Sequence, residues 1–161
     1  DIDRSRGLGD VYKRQRNYGF AVMSLFVPSL KAPEAAAWLE KQILYFSPSL
    51  IVNATSFSGK GKDGNSPLDK ANVPVFQIAL STSNRAAWAE AARGLSPADM
   101  AMHVVLPEVD GRIFAGVASF KEPEEMDEAL QFAPVGHQPD EERINAICAK
   151  IVKWYLSLIH I

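Results

Sequence analysis

The sequence predicts an α/β domain: a mainly parallel sheet flanked by helices, in a Rossmann-like or flavodoxin-like layer. Three observations carry this. Short apolar runs alternate with amphipathic stretches, the pattern of strands joined by helical crossovers. Several of the runs are continuously apolar, as strands covered on both faces require. Proline and glycine stand at most of the boundaries between them.

Taken in order, residues 20–27 form an apolar run stopped by Pro28, the reading of a buried strand. Residues 32–46 read as a helix, with Pro33 and Glu34 in its first turn and Trp38, Leu39, Gln42, Ile43 and Phe46 on one face. Residues 49–57 give a second strand, polar at its C-terminal end. A loop rich in Gly, Lys, Asp and Asn covers 58–72, and 73–80 gives a third strand. Ser83 and Asn84 can cap a helix over 85–93, closed by Gly94. A short turn or helix follows at 97–102. Residues 103–106 and 113–120 are further extended candidates, and 140–155 is a last helix with Ile144, Ile147, Cys148 and Ile151 on one stripe.

The two ends are anomalous. Residues 10–15 can be encoded by GATGTGTATAAGAGACAG, and the reverse complement of that string encodes residues 156–161. Such a relation fits translated sequencing-library adapter, so 1–15 and 156–161 are expected to be artefact and to pack poorly, with 16–155 the α/β domain. Burial of Val11, Tyr12, Leu156 and Ile159 in the core would count against that reading. Helix-tolerant Leu and Ile still allow the last helix to continue past 155.

The chain carries 17 basic and 19 acidic residues, a net charge of −2, and becomes slightly more acidic without its ends. That balance predicts no nucleic-acid footprint and no polybasic membrane patch. The apolar run at 20–27 is too short to span a bilayer. With one cysteine, Cys148, there is no intrachain disulfide and no cysteine-based zinc site, and the expected compartment is the cytoplasm. Cys148 is read as an inert core residue.

Gly59, Gly61 and Gly64 match G-x-G-x-x-G. A dinucleotide site needs a helix opening at once after the glycines, and Asn65, Ser66 and Pro67 favour a turn instead, so the segment is read as a surface loop. No P-loop pattern occurs, and no ATP binding by this chain is expected. The segment Leu106, Pro107, Glu108, Val109, Asp110, Gly111, Arg112 places two carboxylates at a turn between apolar runs. An acidic turn is ordinarily solvated, yet carboxylates so placed can hold a divalent metal and accept protons. His103 is either a further metal ligand or a packed histidine. His137 is read as an exposed loop residue.

Several segments together resemble the CobN-type large subunit of aerobic cobaltochelatase and, more distantly, that of magnesium chelatase. They are residues 52–57, 66–69, 73–77, 88–95, 101–102, 106–113 and 119–121, and the helix over 140–154, in family order across nearly all of 16–155. Residues 110–113 with 119–121 lean to the cobalt branch. The resemblance implies an internal fragment, one domain of a larger tetrapyrrole-binding subunit and inactive alone. That subunit would insert Co2+ into hydrogenobyrinic acid a,c-diamide in cobalamin synthesis, with ATP and Mg2+ on AAA+ partner subunits. It implies Glu108 as the leading residue for metal delivery or proton removal and Asp110 as second; the candidate metal ligands are Glu108 and, from the residue reading above, His103. Arg112, Lys121 and Asn53 become candidates for contact with the macrocycle, Arg112 and Lys121 through its peripheral carboxylates; a structural pairing of either with Asp69 or Glu108 is the alternative. The rival readings are a magnesium chelatase fragment acting on protoporphyrin IX, a nucleotide-binding module using Gly59 to Gly64, and a non-catalytic interaction domain.

Overall fold

A computed structural model describes residues 6–124 and 133–159. Its elements are α1 (Arg6–Asn17), α2 (Pro33–Phe46), β1 (Ile51–Asn53), a 3-10 helix (Pro67–Ala71), β2 (Val75–Leu80) and α3 (Arg85–Glu90). They continue with α4 (Pro97–Met100), a π-helical turn (Ala101–Val105), α5 (Leu106–Val109), β3 (Ile113–Pro123), β4 (Val135–Pro139) and α6 (Glu141–Ile159). The sheet runs in the order β1-β2-β3-β4. β1–β2 and β2–β3 are parallel and β3–β4 is antiparallel, so the sheet is mixed with a parallel majority.

The core follows from the sheet's two faces. On one, Phe76, Ile78, Ala115 and Ala118 meet Ile144, Ile147, Cys148 and Ile151 of α6. Gly116 permits this approach: a Cβ there would stand 2.8 Å from Ile147 Cγ1. On the other, Ala79, Val117 and Phe120 pack with Leu95, with Trp88 and Met100 at the margin. A separate cluster joins Leu39 and Ile43 of α2 to Leu30 and Leu68.

Four expectations are corrected. Residues 20–27 are not a strand: they pair with no strand among the described residues, and Met23 and Phe26 are 40% and 65% exposed. Leu25 and Val27 are held by side-chain packing on the α2 cluster, and Phe20 by an edge-on contact with the Tyr155 ring. Residues 103–106 are helical, not extended. α4, the π turn and α5 run on without a break, and the Leu106 amide reaches back to the Ala101 carbonyl. Pro107 lacks an N–H and would leave a carbonyl one turn back without its partner; a π turn beside it is a known accommodation. His137 lies in β4 and is half-buried, not in an exposed loop. Val11 is not peripheral: it is 1% exposed and belongs to the α6 cluster, and its carbonyl accepts from the Cys148 thiol at 3.7 Å. Gln15 one turn on is also buried, so α1 offers a narrow face that fits α6 whatever its origin. Leu156 remains 47% exposed while α6 continues through it.

Candidate functional site

The turn before β3 is built on a buried ion pair. Arg112 and Asp110 side chains are 3% and 2% exposed, with Arg112 NH2 3.1 Å from Asp110 Oδ2. Asp110 also accepts from Ser58 Oγ at 2.7 Å and from the Gly59 amide at 2.6 Å. Arg112 NH1 donates to Gln77 Oε1 at 3.1 Å, and that oxygen also accepts from Asn53 Nδ2 at 2.7 Å. One polar chain therefore ties the end of β1, the middle of β2, the loop after β1 and the turn into β3. Burial pulls the Arg112 guanidinium below its ordinary pKa, and Asp110 and then Asp69 push it back. Satisfied on all sides, such a network rigidifies its surroundings.

Glu108 sits on α5 at the outer side of this turn, exposed. The cap of α5 falls at Asp110, and Gly111 follows at φ +82°, the left-handed region glycine tolerates. Gly59 is explained by the same network. A Cβ there would collide with the Arg112 guanidinium and stand 2.8 Å from Leu30 Cδ1. Gly61 and Asn65 close a turn at 2.8 Å, and the element that follows is the 3-10 helix, capped by Ser66 and Asp69. The phosphate-cradling helix that a dinucleotide site needs is not what opens here.

A second feature is a groove of about 1820 Å³ along residues 19–31 and the C-terminal ends of the parallel strands. Asn53 at the end of β1 and Thr55 beyond it line it, with Thr82 beyond β2, Lys121 and His137 on β3 and β4, and His103 of the π turn. Ligands in open α/β sheets favour this end of the strands. His103 is 3% exposed and its Nδ1 is sealed without a hydrogen-bond partner. Burial lowers its pKa; Asp99 opposes this and His137 adds to it. His137 Nδ1 stands 3.4 Å from Ser119 Oγ.

The sequence candidates thus fall into two places. Glu108, Asp110 and Arg112 gather at the turn before β3, where Arg112 pairs with Asp110 rather than with Asp69 or Glu108. His103 and Lys121 line the groove, and Glu108 lines neither it nor the smaller cleft beside Arg112. His103 and Glu108 thus do not share a cavity, and no group of three or more His, Cys, Asp or Glu side chains among the described residues is arranged to hold a metal. Asn53 lines the groove but spends its amide internally, donating to Gln77 and accepting from Thr55 Oγ1 at 3.1 Å. Sequence reasoning missed Gln77, whose position inside an apolar strand was the available signal, and His137, whose only signal was its residue type. Among the described residues no helix is long and apolar enough to cross a membrane.

Comparison with known proteins adds the following. The family profile described as CobN/Magnesium Chelatase matches residues 6–158. An aerobic cobaltochelatase subunit CobN from a Sinorhizobium species is 37% identical over 139 residues, 84% of this chain and 11% of that protein. The protein of the same description from Pseudomonas aeruginosa is 33% identical over 138 residues, again 84% of this chain and 11% of the relative. A solved structure described as the catalytic subunit of cobaltochelatase from Mycobacterium tuberculosis matches with a TM-score of 0.69 at 23% identity, over 89% of this chain and 12% of that one. The chain therefore spans about a tenth of the length of these relatives.

Proposed function

The chain belongs to the CobN/magnesium chelatase family, and from that membership we propose that it is an internal piece of the large subunit of a cobaltochelatase. Residues 16–155 are the piece proper, and the two ends are adapter-derived. The whole subunit binds a tetrapyrrole, with hydrogenobyrinic acid a,c-diamide as substrate and Co2+ as the inserted metal, in the cytoplasm. ATP and its Mg2+ act on AAA+ partner subunits, and this piece alone is inactive.

The observation that carries a chemical role here is the exposed Glu108 on a turn locked by the buried Asp110–Arg112 pair. Metal insertion exchanges ring N–H bonds for metal–nitrogen bonds, so protons must leave as the ion sheds its water. A free carboxylate serves both needs, as an oxygen ligand and as a base. Glu108 fills that role. Asp110 and Arg112 act on it indirectly, by fixing the turn, since their own polar atoms are engaged. The leaning to cobalt over magnesium rests on the names of the relatives and on residues 110–113 and 119–121.

The test is cobalt insertion by the full parent subunit with its partners and ATP, beside a macrocycle-binding titration. Glu108→Gln keeps shape and hydrogen bonding while removing charge and basicity. It should reduce insertion by roughly 100-fold or more and leave macrocycle binding within about twofold. Near-normal insertion would remove Glu108 from the mechanism.

A further inference from the structure

We infer that the groove end formed by His103, His137 and Lys121 is a carboxylate-binding subsite, which grips an acidic side arm of a tetrapyrrole lying along the groove. Its preference for an anion stands on the groove itself. The choice of a tetrapyrrole as occupant rests on the family reading above.

The charge pattern is one-sided. The ionisable side chains lining the groove are Arg16, Lys31, His103, Lys121 and His137, and no Asp or Glu lines it. The walls between them are largely apolar, supplied by residues such as Phe20, Leu25, Leu50 and Met102. An apolar trough with cationic groups and no carboxylate repels a metal ion and favours an apolar body bearing negative charge. Its volume of about 1820 Å³ is above the usual range for small-ligand sites, roughly 300–1,000 Å³, as a macrocycle would need.

His103 supplies the second, independent sign. Its ring is nearly wholly buried, and Nδ1 has neither partner nor solvent. A sealed N–H is the costlier orphan, so the proton of the neutral ring belongs on Nε2. Among the described contacts Nε2 has no protein partner and is not sealed, so it opens to the groove that the ring lines. A donor held there, with the Lys121 ammonium on the same groove and Lys121 paired across the sheet with His137, matches the oxygen pair of a carboxylate. Ser119 sits behind His137 and orients its ring.

The experiment titrates the chain with coproporphyrin, a tetrapyrrole with four carboxylates, and separately with its tetramethyl ester, following porphyrin fluorescence. The free acid should bind, and the ester about tenfold or more weaker. Lys121→Met should weaken the acid about tenfold and leave the ester unchanged. His103→Gln should act in the same direction; if it fails to fold by circular dichroism, Lys121→Met and His137→Gln still decide the matter. Equal binding of acid and ester, or an unchanged affinity in Lys121→Met, overturns the subsite. So does binding of Co2+ alone that is lost in His103→Gln. The Glu108→Gln insertion assay is separate. Acid-selective binding here with no cobalt insertion by the parent subunit would sink the chelatase reading and keep the subsite. Insertion that depends on Glu108 but not on Lys121 would do the reverse.

Discussion

Arg112 is a cation sealed among partners, and its worth lies in what breaking it would leave behind. Removing one member of a buried pair strands the other charge, at a cost of about 3–5 kcal/mol. Arg112→Met should therefore destabilise the chain by that order in urea unfolding, while Arg112→Met with Asp110→Asn should recover part of the loss. Gly59→Ala presses a methyl into the Arg112 guanidinium and should cost on the order of 1–3 kcal/mol. His103 is held neutral by its burial, with Asp99 resisting and His137 assisting. Its folded pKa lies below the unfolded one near 6.5. Its contribution is therefore fully present above that value and is lost as pH falls through the folded pKa. Melting temperature should drop between pH 7.5 and pH 5, and the drop should be smaller in His103→Gln. The Cys148 thiol is pushed up to about 11 by its apolar surroundings. It should resist a thiol reagent at pH 8 in the folded chain and react at once in denaturant.

At the level of elements, legibility tracked how locally each one was specified. The α2, β2 and α6 segments carry their own signals: Pro33 at the start of α2, a six-residue strand apolar at all but Gln77, and a 3.6-residue stripe of isoleucines. Their bounds shifted by only a few residues. Residues 103–106 misled because Val104 and Val105 favour strands and Pro107 reads as a breaker; the π turn that reconciles Pro107 with a continuing helix has no sequence signature. The run at 20–27 has strand composition, but a strand exists only where another edge pairs with it. β4 went unseen because it is short, carries Gly136 and the polar pair His137 and Gln138, and ends in Pro139. The candidate site was legible where it is contiguous, from Glu108 to Arg112. It was illegible where distant residues converge, since nothing in the sequence joins His103 to His137 or Arg112 to Gln77. Gly116→Ala probes the helix–sheet contact directly. By forcing Ile147 away it should cost about 1–3 kcal/mol and speed amide exchange along α6.

For the whole molecule, the outer side of α2 matters as much as the core. Leu44, Tyr45 and Phe46 are 64%, 81% and 48% exposed, and Phe26 is 65% exposed. Tyr45 and Phe46 also stack edge-on, and exposed apolar side chains grouped in this way mark a contact face, which suits a chain spanning a tenth of its relatives. Alone, the chain should self-associate with rising concentration, and Leu44→Glu with Tyr45→Glu should return it toward monomer in size-exclusion light scattering. The N-terminal helix raises a different matter. Val11 is part of the core, so Val11→Ala should cost on the order of 2 kcal/mol. An unchanged unfolding midpoint would mean that α1 does not hold its place.

β3 separates two of the functions argued above. It is eleven residues long, on the order of 35 Å of extended chain. The turn carrying Glu108 precedes its first residue, and Lys121 stands near its last. Anchoring and proton removal should therefore register as different kinetic quantities. In the parent subunit, Lys121→Met should raise KM for the macrocycle with little change in kcat. Glu108→Gln should lower kcat with KM nearly fixed, and the two defects combined should multiply rather than saturate.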